Sequence, residues 1–141
     1  MLAQIVAVLS ATVMLSAVPD GSARAQDAYP SKPVRLLVPF PAGGAVDIVG
    51  RTIGDELARR WGQSVVIENR PGAGGTIASQ AAATASADGY TLILVASGHA
   101  LNPHFYAKLP YDPFKDFTPI SLVGSSPNML LARGDSPYKT V

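Results

Sequence analysis

Residues 34–53 read VRLLVPFPAGGAVDIVGRTI, and the punctuation of this stretch sets the fold class. A short apolar strand, Val34 to Val38, breaks at Pro39 and Pro41. The Gly43-Gly44 pair follows, and a helical pattern starts at Ala45. Up to Trp61, the apolar residues Val46, Val49, Ile53 and Leu57 recur at spacings of three and four, while Asp47, Arg51, Asp55 and Arg59 take the other side. Asp47 in the first turn and Arg59 and Arg60 in the last complement the helix dipole, and Gly62 is a plausible stop. Gly50 and Gly54 each weaken the helix by about 1 kcal/mol relative to alanine, and their spacing suggests a face packed closely on a sheet. A strand that passes through a glycine turn into a helix N-terminus can hold an anion, because the first N–H groups of the helix lack internal partners. An ordinary strand-to-helix turn fits the same residues, and the stretch alone leaves both readings open.

Outward from this unit, the same rhythm repeats. Gln26 to Lys32 is a polar lead-in kept extended by Tyr29-Pro30 and Lys32-Pro33. Ser64 to Glu68 reads as a second strand, and it empties into Asn69-Arg70-Pro71-Gly72-Ala73-Gly74-Gly75. Thr76 to Ala87 is alanine-rich and helical in propensity. Asp88-Gly89 ends it, and Tyr90 to Ala96 is a third, strongly apolar strand. The β-α-β-α-β order with short connections predicts a parallel, doubly wound α/β sheet. Ligands of such sheets bind at the carboxyl ends of the strands, where both glycine turns lie. Further on, Leu101 to Ala107 suggests a short helix, the proline-dense segment Leu109 to Pro113 cannot continue it, and Phe117 to Ala132 reads as strand, bend, strand.

Composition narrows the function. At 141 residues the chain has room for one domain. A net charge of +1 with 15% charged residues gives no basic face for nucleic acid. The absence of cysteine removes disulfides, thiolate nucleophiles and cysteine metal sites. Leu2 to Val18 is apolar and uncharged, and Ala23-Arg24-Ala25 has the small-x-small form of a signal-peptidase site. Residues 1–25 are therefore expected to be a cleaved signal peptide, although no Lys or Arg precedes the apolar core.

Chemistry motifs are sparse. Gly72-Ala73-Gly74-Gly75-Thr76-Ile77 approaches a dinucleotide fingerprint, but Ile77 stands where glycine or alanine is wanted. A nucleotide-dependent α/β enzyme using the Gly72–Gly75 turn is one alternative reading. Ser97-Gly98 lacks the preceding glycine of a nucleophile elbow. His99 and His104 have no carboxylate or second histidine at metal spacing and read as capping or packing residues. Arg70 fits either a bidentate contact in an anion site or, as the favoured reading, a surface arginine paired with Glu68 or Asp88. Phe40 fits either the floor of a pocket or the end of the core.

Four segments, YPSKPVRLLVPFPAGGAVDIVGR, VVIENRPGAGGTIAS, ADGYTLILVASGHALNPHFY and LPYDPFKDFTPISLV, resemble in order and spacing the Bug family. These are the TctC-like extracytoplasmic solute-binding proteins of tripartite tricarboxylate transport systems. The resemblance runs from Tyr29 to Val141. It implies the N-terminal part of a periplasmic-binding-protein lobe of type II-like form, with a parallel doubly wound sheet. Residues 26–122 would be an incomplete first lobe and 123–141 a crossover strand towards a second lobe that is missing, as in a truncated product. It implies a non-catalytic role without cofactor or metal: capture of a small organic carboxylate in the periplasm for the membrane permease subunits of a tripartite transporter. An exported partner of a membrane sensor is the other alternative. By the same resemblance, Phe40, Pro41, Ala42, Gly43 and Gly44, with Asp47 behind them, meet the ligand carboxylate through backbone N–H groups and water. Ser97 and Gly98 belong to the same wall. Val46 stands where the family commonly has a hydroxyl residue.

Overall fold

A computed structural model of the chain describes residues 29–127, 129, 131–135 and 137. The expected signal peptide lies outside the described residues. Three strands, β1 (Val34–Val38), β2 (Val65–Asn69) and β3 (Thr91–Ile93), form one sheet in the order β2-β1-β3. Both pairings are parallel, with Val38 opposite Asn69 and Leu37 opposite Ile93. The helices are α1 (Ala45–Trp61), α2 (Thr76–Ala83), which follows a 3-10 turn at Ala73–Gly75, and α3 (Gly98–Phe105).

β1 lies in the middle because its sequence suits burial on both faces. Val34, Leu37 and Val38 are fully buried and Leu36 nearly so, while Arg35 reaches solvent. Each such aliphatic side chain contributes about 1.5–3 kcal/mol. With the first strand central, the first connection runs from β1 out to β2, and the second runs back from β2 across β1 to β3. Right-handed crossovers then place α1 and α2 on opposite faces of the sheet. α1 packs on β1 and β2, and α2 packs on β1 and β3. The doubly wound α/β class expected from the sequence is the one observed.

α1 meets the sheet through its glycines. A Cβ on Gly50 would stand 3.2 Å from Val38 Cγ2, and one on Gly54 would stand 2.9 Å from Ile67 Cδ1. The amphipathic pattern misassigned two positions. Val49 is 40% exposed, whereas Asp47 is 2% exposed. The glycines turn the helix so that Gly50 and Gly54 face the sheet, and Asp47 closes the end of that same face. Gly62 ends the helix as expected, with φ 66° and its N–H donated to Ala58 O at 3.0 Å.

Three later elements differ from their sequence expectations. α2 stops at Ala83 rather than Ala87, where Thr84 Oγ1 donates back to Gln80 O at 2.9 Å and the Asp88-Gly89 turn follows. β3 spans only Thr91–Ile93 because its partner β1 ends. Leu94 N still donates to Leu37 O at 3.0 Å, and beyond that point β1 has given way to Pro39. α3 begins at Gly98, ahead of the expected Leu101, and ends at Phe105. Residues 117–127, expected to hold strand and bend, form no strand. They pair with neither β2 nor β3, whose outer edges stay open among the described residues, and Ile120 and Leu122 stand about four-fifths exposed. No helix among the described residues is long and apolar enough to cross a membrane.

Candidate functional site

The carboxyl ends of the strands carry two glycine turns, one entering α1 and one entering α2. In the first, Pro41, Ala42, Gly43 and Gly44 are exposed and Phe40 is half-buried. Gly43 takes φ 83°, a region that disfavours a side chain. Its N–H donates to Asp47 Oδ2 at 2.8 Å, and Gly44 N donates to Pro41 O at 3.3 Å. These two groups hold the turn together. Gly44, at the N-cap, supplies no side-chain acceptor, so the N–H groups of Ala45, Val46 and Asp47 are the ones left to a ligand.

Asp47 is a brace for this turn. Besides Gly43 N, it accepts Arg51 Nε at 2.9 Å and Asn69 Nδ2 at 2.8 Å. Arg51, then Gly43 N and Asn69, hold its carboxyl well below the usual carboxylate range. Asn69 Nδ2 also reaches Phe40 O at 3.0 Å, and Arg51 Nη2 donates to Asn69 Oδ1 at 3.2 Å. Asn69 was invisible in the sequence as a site residue. The only signal was its place at the end of a strand next to β1.

The second turn is built by close contact instead. Gly72, Ala73, Gly74 and Gly75 all have positive φ, between 46° and 123°. Cβ atoms would fall 3.1 Å from Tyr106 Oη at Gly74 and 3.2 Å from Pro39 Cβ at Gly75. At Gly72 the nearest atom would be Ile77 Cδ1, at 2.7 Å. The Ile77 that departs from the dinucleotide fingerprint thus covers the turn's first glycine. These close approaches serve the protein's own side chains, which is against the nucleotide reading.

Between the turns lies a cavity of about 20 Å³, room for roughly one water molecule. Pro39 and Phe40 line it from the first turn, Gly74 and Gly75 from the second, and Ser79, Gly98 and His99 from the helices. The structure therefore brings Phe40 and Gly98 to one cleft. Ser97 is exposed next to Gly98 in the chain, and Pro41 to Gly44 are exposed and do not line the cavity. Gly74, Gly75 and Ser79 join the cleft without having been singled out for it.

His99 is a packing residue, as expected. Its Nε2 donates to Pro113 O at 3.3 Å, so its Nδ1 is the acceptor for Ser79 Oγ at 3.0 Å. The ring stacks on Tyr111 and meets Phe117 edge-on, with centroids 5.7 and 4.8 Å away. Burial pushes its pKa down, partly offset by the Pro113 carbonyl. Arg70 Nε pairs with Glu68 Oε1 at 2.6 Å, and Glu68 also holds Arg35 at 2.8 Å, which keeps Arg70 in a surface ion pair. Among the described residues, no three His, Cys, Asp or Glu side chains gather into a metal site.

Residues 49–141 match the model of the tripartite tricarboxylate transporter family receptor. The UPF0065 protein of the tcbD-tcbE intergenic region of Pseudomonas sp. (strain P51) is 39% identical over 127 residues, which are 89% of this chain and 38% of that protein. The solved periplasmic binding protein BugD is 41% identical with a TM-score of 0.63, over 65% of this chain and 31% of its own. MatC from Rhodopseudomonas palustris, solved with bound malate, is 44% identical with a TM-score of 0.63, over 67% of this chain and 33% of its own. The chain thus spans well under half the length of the relatives it matches.

Proposed function

The chain belongs to the tripartite tricarboxylate transporter receptor family, and on that premise we propose that it captures a small organic carboxylate in the periplasm for the permease subunits of a tripartite transporter. One observation carries the reading. The uncapped N-terminus of α1 opens at the carboxyl end of the central strand, in a fold whose relative MatC holds malate. Ala45, Val46 and Asp47 offer N–H groups there, and a carboxylate gains about 0.3–2 kcal/mol from the helix terminus. Phe40 and Gly98 shape the cleft, and Pro41 to Gly44 present the rim. Asp47 acts from behind, through the turn. Residues 26–122 form the first lobe under this reading, and 123–141 lead towards a second. Receptor and binding protein are the roles by which the relatives are described, and the reading needs no catalytic group or cofactor.

The described residues supply one wall. Small-ligand sites commonly bury about 70–90% of their ligand, so the 141-residue chain alone is expected to bind near the millimolar range, about −4 kcal/mol. An NMR titration of the ¹⁵N-labelled chain with malate, benzoate, glucose and spermidine tests this. Saturable shifts at Ala45–Asp47 and Gly98 with the carboxylates are expected. Binding of only the sugar or the amine overturns the reading.

A further inference from the structure

We propose that Asn69 is a positioning residue of the carboxylate site, sequestering two acceptors that would otherwise compete with the ligand. It sits at the end of β2, opposite Val38, level with the point where the chain leaves β1 for the first turn. Arg51 can only donate, so its contact at 3.2 Å fixes the Asn69 carbonyl and turns the amide nitrogen the other way. That nitrogen has two hydrogens and spends both. One goes to Phe40 O at 3.0 Å, ahead of the glycines, and one to Asp47 Oδ1 at 2.8 Å, behind them.

The chemistry gives the arrangement its purpose. A bound carboxylate is repelled by any carbonyl or carboxylate oxygen turned towards it. The Phe40 carbonyl and the Asp47 carboxylate flank the first turn, and the Asp47 carboxylate is almost wholly buried. Asn69 and Arg51 between them draw these oxygens onto donors, and Asp47 with Arg51 forms a neutral pair 2.9 Å apart. The α1 N–H groups are left as the polar face of the turn. A side chain of the same shape without donors, as in Asn69→Leu, releases both oxygens. Asn69→Asp keeps the shape and sets a second carboxylate against Asp47.

The proposal rests on the carboxylate-binding reading, and one experiment separates the two. The ¹⁵N-labelled 141-residue chain as wild type, N69L and N69D is titrated with sodium malate, and amide hydrogen exchange is recorded without ligand. The malate Kd is expected to rise about tenfold in N69L and further in N69D. Exchange should quicken about tenfold at Gly43 while the amides of α2 keep their protection. An unchanged malate Kd in folded N69L overturns the proposal, as does exchange that quickens uniformly through the sheet. If wild type shows no saturable malate shift, the functional reading fails. The Gly43 exchange then decides the positioning role, with unaltered exchange overturning it and local acceleration supporting it. Asn69→Ser, which keeps one donor, supplies the same readings if N69L does not fold.

Discussion

The two glycine turns look alike in sequence and are built in opposite ways. The first is held by polar side chains: Asp47 takes the Gly43 N–H, and Asn69 takes the Phe40 carbonyl. Its glycines touch little, since a Cβ on Gly43 would meet nothing within 4 Å. The second is held by contact, with Gly74 under Tyr106 and Gly75 against Pro39. A polar brace fixes a turn from behind and leaves its outer surface bare for a ligand. A packed turn is fixed from in front, and its surface is used up by the protein. Glycine content therefore says where a chain turns sharply; the neighbours decide whether the turn remains open.

The most direct way to break this comparison is a matched pair of substitutions. Gly43 and Gly75 have similar dihedrals, φ 83° and 90°, but only Gly75 faces a rigid ring at 3.2 Å. Gly75→Ala is expected to cost about 2–3 kcal/mol, the left-handed penalty plus the clash, and Gly43→Ala about 1 kcal/mol. Urea denaturation measures both, and equal costs would erase the distinction between packed and open turns.

Asp47→Asn probes the polar brace. The folded protein lowers this carboxyl's pKa, so its ionised form stabilises above the ordinary carboxylate range, and that contribution is lost as pH falls through and below about 4. D47N should be less stable than wild type at neutral pH, with the gap closing in acid. A gap independent of pH would show that the brace works by shape rather than charge.

His99 sharpens the contact-built side. Its pKa is depressed by burial from 6.5, so the unfolded chain binds the proton first. Stability should decline as pH falls below about 6.5, before the carboxylates titrate. H99Q should lack this early decline, and identical profiles between pH 7 and 5 would remove His99 from the cleft's support. The smallest effect is expected at Arg70, whose side chain is 41% exposed and paired with Glu68. R70A should cost about 0–1 kcal/mol and leave the malate-induced shifts intact. A lost response would move Arg70 into the site.

β1 and α1 were legible to the residue, because five apolar-rich positions ended by proline and a periodic run ended by Gly62 leave little choice of boundary. β3 was legible in kind but not in length, since a strand lasts only as long as its partner, and the end of β1 is not written in the sequence of β3. The apolar run from Phe117 shows the same dependence. Its composition suits a strand, yet no ladder among the described residues receives it. Asp47 was read as solvent-facing from its helical phase, while its actual place follows from three donors, two of them outside the helix. The brace was hidden because Asn69 and Asp47 meet only after β2 has docked beside β1. The turn itself was visible; the residues that steady it were not.

The central position of β1 also dictates an order of events. Val34 faces Val65, but Arg35 must wait for Thr91, much further along the chain. Closing the longer loop costs more entropy and forms contacts later. Pairing of β1 with β2 across α1 is therefore expected first, in the segment that contains the first turn, Asp47 and Asn69 together. Docking of β3, which brings Gly98 to the cleft, comes afterwards. On an emerging chain the first turn and its brace are then expected to assemble before β3 is in place, and for that interval the outer edge of β1 is a free template that any passing strand can occupy.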